Sequence, residues 1–515
     1  MKIIKNKNSF IIPISLLMLL VCLILIPLFK PGFPVTDDGD WMIIRLTAFY
    51  QAFADGQFPV RFLMRLNNNY GYPVSNFLYP GYLYIGSLLR LFHLPYVAIV
   101  KLIFGGSVAF CALFSYLWLR RFFSSISSFI GACSLLVSPY FLYDFYKRGS
   151  VGELLATSVV IILLWSIESG YVWLISPITA LLFVSHNTLA LIFSFVVGGY
   201  IIVRKKFDAF LPVVIGVWMS SFFWIPAIFE RSFVRFDLVQ VSNPFDYGSV
   251  SQTLVLIGIP LLLPLFLFLR KRKDTLDKEF LYFSAVSTCA VIGSSMIGTV
   301  FWKTSFFIHF VQFPYRLLSV VFITGPWLIA FLLHVVGNGR KKVWIGFALL
   351  VVLSAPSVPL FMKVHNVVRE EGFYTTNEGT TTVQDEYLPR WVEKNPSERT
   401  NSKLVLFSGK GTIESIVAST KKIDARLIIE RESVIQFNTV FYPGWGGTLN
   451  GKPINISYQN TNGLMRVSVP KGEHHISFEF RETAFRYIAD FLSSLGILFY
   501  GGYLSYLLVK GAKRK

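Results

Sequence analysis

Charge is scarce in this chain. Only 15% of its 515 residues are Asp, Glu, Lys or Arg, where a soluble domain carries about 25%, so a conventional water-soluble globule is excluded. Acid is scarcer than base, 29 residues against 48. The basic excess falls in short clusters between apolar runs, the pattern of cytoplasmic loops, and no nucleic-acid partner is expected. Cysteine is almost missing. Cys22, Cys111, Cys133 and Cys289 all lie in apolar runs, which leaves the polar C-terminal region without a disulfide framework. No Cys/His spacing suits a metal site either. What the chain has in quantity is apolar length, with 54% hydrophobic and 17% aromatic residues. Phe10 to Phe29 carries no charge over about 20 residues, enough to cross a hydrocarbon core of roughly 30 Å. It is too long for a removed signal peptide and is read as an anchor.

Orientation follows from the basic clusters. Lys2/Lys5/Lys7, Arg120/Arg121, Arg204/Lys205/Lys206, Arg270 to Lys273, Arg340 to Lys342 and Lys510 to Lys515 should all be cytoplasmic. They fall on one side only if Asn76 to Phe92 does not span. That segment contains Pro80, Gly81, Gly86, Tyr79, Tyr82, Tyr84 and Arg90, which suits an interfacial or re-entrant helix. The expectation is a polytopic α-helical membrane protein of about twelve spans with both termini cytoplasmic. The spans fall near 9–30, 96–119, 124–144, 152–168, 171–187, 188–203, 209–228, 251–270, 279–298, 315–336, 343–361 and 487–509. Residues 1–361 then form a transmembrane domain whose first outer loop is 31–95, and 487–515 a last span with a basic tail. Between them, 362–486 is outer and β-rich. Strand-like runs at Lys403 to Phe407, Ala425 to Glu430, Ser433 to Tyr442, Leu464 to Val469 and His474 to Phe480 alternate with turns such as Ser408-Gly409 and Asn450-Gly451. A small antiparallel β-sandwich is expected there.

The first outer loop concentrates polar chemistry. It opens Thr36-Asp37-Asp38-Gly39-Asp40-Trp41 and runs through Arg45. Asp38, Trp41 and Arg45 are spaced to share one helix face. Acidic helix starts are common. Asp37 as a cap and Asp40 in the first turn, favouring the helix dipole, would account for the pattern without any chemistry.

The same residues resemble the first outer loop of GT-C glycosyltransferases: acid past the first span, Arg on the same helix, Gly56-Gln57-Phe58-Pro59, Gly71-Tyr72-Pro73 and the aromatic run to Tyr84. The likeness is to the bacterial membrane family called 6-pyruvoyl-tetrahydropterin-synthase-related, which overlaps the YfhO-like group. Its pattern, roughly His-Asp-x-x-x-His-x-x-Arg, falls on Asp38 and Arg45, with Asp37 and Met42 at the two histidine positions. Arg148-Gly-Ser-Val-Gly-Glu153, Ser185-His186-Asn187, Gln312-Phe313-Pro314-Tyr315-Arg316, Asp385-Glu386-Tyr387-Leu388-Pro389 and Phe441 to Trp445 extend the resemblance over nearly the whole chain.

The resemblance implies transfer of a sugar from a polyprenyl-phosphate donor to a cell-envelope glycan or lipid acceptor, at the outer face of a bacterial cytoplasmic membrane. Asp38 would be the base, with Asp40 or Asp37 in reserve. Arg45, Arg148, Arg316 and His186 would meet the phosphate or lipid head. Glu153 would orient an arginine, and Tyr79, Tyr82 and Tyr84 would contact sugar or acceptor. No cofactor is called for; a divalent metal stays open because the histidine positions are replaced. Each residue has a plainer reading: Arg148 with Glu153 as an interfacial ion pair, Arg316 snorkelling, His186 satisfying backbone at a turn, the tyrosines as an aromatic belt. A flippase or transporter of lipid-linked sugars would instead place charges at mid-span and show an internal repeat. A non-catalytic envelope scaffold is the third reading.

Overall fold

The computed structural model describes residues 8–239, 275–295, 298–304, 311, 313–337 and 339–512. The span expected at 251–270 lies outside them. Among the described residues six helices are long and apolar enough to cross a membrane: Tyr96–Leu119, Val151–Ser169, Asn187–Arg204, Pro314–Val335, Arg340–Lys363 and Ala484–Lys510. Two bent pairs raise the number to eight. Ser125–Leu136 with Pro139–Arg148 turns by 42°, and Phe207–Met219 with Ser221–Phe233 by 65°. The first break falls at Pro139, which lacks an amide hydrogen for the helix and pushes Ser138 out of helical geometry; Ser138 is extended, at ψ 132°. Helices at Asn8–Ile24 and Val172–Ser185 occupy expected positions but are shorter. Asp277–Ser294 opens on Asp277, Lys278 and Glu279. In the segment 76–92 only Gly81–Arg90 is α-helical, about 15 Å of helix, half a bilayer core.

Burial sorts the helices. Val151–Ser169 and Pro314–Val335 are enclosed, while Arg340–Lys363 and Ala484–Lys510 expose apolar side chains such as Trp344, Val352, Phe491 and Leu498. A helix apolar all round belongs in a core or in lipid.

The C-terminal strands form one antiparallel sheet rather than the two facing sheets expected. β1 (Phe33–Pro34) pairs with β2 (Asn366–Val367), tying the start of the first outer loop to the start of the segment after 361. β3 (Leu404–Ala418), β4 (Lys422–Val440), β5 (Trp445–Leu449), β6 (Lys452–Ile454), β7 (Leu464–Val469) and β8 (Gly472–Phe480) make the six-stranded sheet, in the order β3-β4-β8-β5-β6 with β7 also on β4. β4 is long enough to hold two neighbours on one edge: Lys422 to Ile429 pair with β8, and Ser433 to Val440 with β7. The sheet face is closed by the outer loop. Phe62, fully buried, meets Trp445 at 5.6 Å and Phe480 at 5.4 Å, a contact that stabilises by about 2–3 kcal/mol through burial. Residues 368–403 are largely irregular, with a short helix at Glu371–Thr376, and lie along the first outer loop. Asp40, Thr47 and Arg65 all bond to this stretch, through Arg369, Tyr374 and Thr375.

A second junction joins the sheet, the outer loop and the last helix. Arg486, fully buried, holds both oxygens of Glu230, with Nε at 2.9 and 3.1 Å and Nη2 at 2.9 Å. Tyr442 hydroxyl and Asn76 amide donate to the same carboxylate at 2.9 and 2.7 Å. Arg61 donates to Glu482 at 3.2 Å and Asp490 at 2.7 Å.

Candidate active site

The helix Gly39–Ala54 begins as the spacing predicts; Asp38 at its cap position makes no side-chain cap bond, and the Thr36 hydroxyl accepts the Gly39 N–H at 3.1 Å. Asp37 does not act as the cap: its carboxylate pairs with Lys147 at 2.5 Å. Asp40 pairs with Arg369 at 3.0 Å and accepts from the Tyr374 hydroxyl at 3.3 Å. Asp38 occupies the cap position and turns its side chain to a cavity of about 180 Å³. Among the described residues its carboxylate has no hydrogen-bond or ion-pair partner. Burial raises its pKa, against the pull of Arg148 and Arg45. The backbone N–H groups of Asp37 and Asp38 donate to the carbonyls of Lys147 and Arg148 at 2.9 and 2.8 Å, so the acidic corner is stitched to the turn that carries Arg148.

That turn explains the Arg-Gly-Ser-Val-Gly-Glu motif. Asp144–Arg148 is a π-helical turn ended by Gly149 at φ +70°. A Cβ on Gly149 would lie 2.1 Å from Thr36 Oγ1, and one on Gly152 2.2 Å from Tyr79 Cε2. The glycines therefore admit two side chains of the outer loop, and the flanking charges meet: Arg148 Nη1 lies 2.6 Å from Glu153 Oε1 and 2.9 Å from Asp144 Oδ1. Glu153, completely buried, is a hub. The same Oε1 is 3.3 Å from Arg316 Nε and 3.6 Å from His186 Nε2, and Tyr140 donates to Oε2 at 3.2 Å. An unpaired buried carboxylate would be strongly unfavourable; shared among two guanidinium groups it fixes both.

The cavity wall holds Arg45, Arg148 and Arg316 together with Asp38, Trp41, Tyr79, Phe236 and Phe313. Arg45 is buried, and its Nε and Nη2 donate to Thr381 Oγ1 at 3.2 Å and Thr381 O at 2.6 Å. Besides Asp37, Asp40 and Glu153, three more of the expected residues, His186, Tyr82 and Tyr84, do not line the cavity. His186 stands behind Tyr79, its ring stacked on it at 4.6 Å, with Nδ1 accepting the Leu189 N–H at 3.3 Å. Nδ1 as acceptor puts the proton of the neutral ring on Nε2, towards Glu153. Tyr82 is buried beside Arg45 without lining the void. Tyr84 accepts the Val60 N–H at 3.2 Å and packs on Phe49 at 4.9 Å, away from it. The roof, by contrast, was not expected as a site. It comes from Thr381, Thr382, Gln384, Glu386 and Tyr387; the Asp385 to Pro389 motif was the only signal for it.

The arrangement can grip an anion and take a proton. The charges of Arg148 and Arg316 are already answered by Glu153 and Asp144, which holds them rigid; Arg45 meets only neutral groups, the two Thr381 oxygens and Met42 Sδ at 3.9 Å. Among the described residues no three His, Cys, Asp or Glu side chains converge, and Asp38 stands among three arginines. His309 and Gln312 lie outside the described residues.

No family model matches the chain, and neither does any curated protein. Among solved structures the chain is similar to the arabinofuranosyltransferase AftD from Mycobacteria, with a TM-score of 0.47 and 12% identity over 69% of this chain and 28% of that one. It is similar to ArnT from Cupriavidus metallidurans, solved bound to undecaprenyl phosphate, with a TM-score of 0.44 and 13% identity over 72% and 68%. A third similarity is to the Archaeoglobus fulgidus oligosaccharyltransferase, at 0.37 and 12% over 73% and 57%. The chain thus spans little more than a quarter of the length of AftD.

Proposed function

We propose that this chain is a membrane glycosyltransferase that moves a sugar from a polyprenyl-phosphate donor to a hydroxyl acceptor of the cell envelope, at the outer face of a bacterial cytoplasmic membrane. One observation carries the reading. Of three neighbouring carboxylates, two are consumed by Lys147 and Arg369, and the third, Asp38, faces a cavity it shares with three arginines. Asp38 takes the acceptor proton as the acceptor oxygen attacks the anomeric carbon. The bond from that carbon to the phosphate oxygen breaks, and the phosphate leaves with the electron pair. Arg45, Arg148 and Arg316 hold the charge that grows on it, in a site already shaped for it. Glu153 keeps two of those arginines in place, and Trp41 and Tyr79 offer flat faces to the sugar. The outer location is supported by the sequence, in which the basic clusters have the pattern of cytoplasmic loops.

The test is release of free polyprenyl phosphate from a mixed pool of polyprenyl-phosphate sugars. Membranes with the wild-type chain are compared with membranes holding Asp38→Asn at equal protein level. Release should fall about 10²- to 10⁴-fold, the usual contribution of a positioned base. Equal release from both, or movement of lipid-linked sugar across the membrane with no release, would overturn the assignment in favour of transport.

A further inference from the structure

Arg45 is the cavity guanidinium that meets no carboxylate: Nη1 lies 3.9 Å from Met42 Sδ, and the two oxygens it donates to both belong to one residue. Thr381 presents its carbonyl oxygen and its hydroxyl to the Nε and Nη2 donors of Arg45, at 2.6 and 3.2 Å. Two oxygens side by side on that edge of a guanidinium is the contact a phosphate makes. Thr381 reaches it in a conformation that suits a β-branched residue poorly, the left-handed region at φ +61°. Its hydroxyl donates to the Thr380 carbonyl at 2.6 Å, leaving a lone pair for Arg45. The following residues form an exposed tip at Val383 and Gln384. The loop is pinned on its far side by the Tyr72 hydroxyl, which contacts Thr382 Oγ1 at 2.9 Å and accepts the Tyr387 N–H at 3.0 Å.

From this geometry we infer that Thr381 is an internal stand-in for the ligand's phosphate: it occupies Arg45 in the empty chain and is displaced by a phosphate-ester headgroup, releasing the loop 380–386 from the cavity roof. The inference rests on the reading of Arg45 as a donor-phosphate contact. Displacement relieves the left-handed strain at Thr381 and exchanges two neutral acceptors for a charged one, which favours the phosphate. Thr381 also keeps the Arg45 charge from being buried unanswered when no donor is present. The contact therefore sets affinity by competition: whatever weakens the latch strengthens binding.

The experiment uses the full chain in lipid nanodiscs with undecaprenyl phosphate and, separately, inorganic phosphate as probes. Thr381→Ala and the near-isosteric Thr381→Val should bind undecaprenyl phosphate roughly three- to tenfold more tightly than wild type, the range for loss of one competing hydrogen bond to a charged group. A residue that merely positions Arg45 would give the opposite sign, and weaker or unchanged binding overturns the inference. A second readout does not depend on the variants at 381. Thr382 is half-buried at the cavity in the empty chain. Thr382→Cys should react several-fold faster with a membrane-impermeant maleimide once undecaprenyl phosphate is added, over the background of Cys22, Cys111, Cys133 and Cys289; an unchanged or slower rate overturns the release of the loop. The same response to inorganic phosphate alone would uphold displacement but assign the site to free phosphate and not to a lipid. If wild type binds no phosphate probe, the proposed function falls too; if it binds and Thr381 variants bind no tighter, only this inference does.

Discussion

Two clusters of buried charge lie against the segment 31–95, built from the same residue types and set in opposite surroundings. At the junction of sheet and last helix, Arg486 grips Glu230 through three contacts, and Arg61 is held between Glu482 and Asp490. Neither arginine lines the cavity. Besides their carboxylates, Arg486 donates to the Pro443 carbonyl and Arg61 to that of Phe222, and Arg486 Nη1 is enclosed without a partner among the described residues, facing no open space. In the cavity cluster, Arg148 and Arg316 share one carboxylate, Arg45 has none, and Asp38 has no partner among the described residues. Burial of an arginine therefore says nothing about function; unmatched hydrogen-bonding capacity facing an open space does.

The contrast can be broken in four ways. Arg486→Ala should be the most disruptive. It strands Glu230 and should lower stability by about 3–5 kcal/mol, read as a lower Tm in detergent, while any folded fraction keeps wild-type KM. Glu153→Gln sharpens the comparison from the other side. It leaves two arginines less firmly held, so phosphate-lipid release should fall about ten- to a hundredfold, with a smaller Tm loss than Arg486→Ala. A drop in Tm with unchanged release would make Glu153 structural only.

The pH profile is a subtler test. Burial raises the Asp38 pKa, so the base becomes active only above the ordinary aspartate range, and the acid limb of kcat/KM should lie above about pH 4. Arg148 and Arg45 pull that pKa down; Arg45→Ala should therefore move the limb to still higher pH. For stability the sign is opposite to that of a paired carboxylate. A raised native pKa means the folded chain binds the proton more tightly, so the Asp38 contribution falls as pH rises through it. Asp40→Asn should do least. Its bond to Arg369 is half exposed, and loss of such a pair costs about 0–1 kcal/mol with little change in rate.

How far the sequence reaches into this structure depends on distance along the chain. Long apolar runs are local signals, and the helices at Tyr96–Leu119 and Val151–Ser169 lie within a residue or so of the runs read from composition. Strand boundaries were less legible. Arg431-Glu432 separates two apolar runs, yet the chain passes straight through them in β4, because neither residue is a turn former. Ser408-Gly409 reads as a turn and is instead a bulge, with register shifts on both sides of Ser408 and Gly409 at φ +104°. In the site, Asp38 and Arg316 stand at helix starts that sequence can locate, Arg45 lies in the second turn of the helix Gly39–Ala54, and Arg148 closes a π-helical turn just before Gly149. Which of three aspartates stays free could not be read. The partners that consume Asp37 and Asp40 are Lys147 and Arg369, far along the chain and carrying no local pattern. Thr381 is invisible for the same reason.

The clasp between the outer loop and the segment after 361 also has a meaning for biosynthesis. Arg45 and Thr381 are 336 residues apart, and β1 cannot find β2 until nearly three-quarters of the chain has been made. At roughly 5–20 residues per second the helix bearing Asp38 waits on the order of 20–70 s for its roof. Every intervening span must be inserted first. A nascent chain stopped before Asn366 would have Asp38, Arg45, Arg148 and Arg316 all in place and still lack a closed site, so competence arrives as one late event and not by degrees.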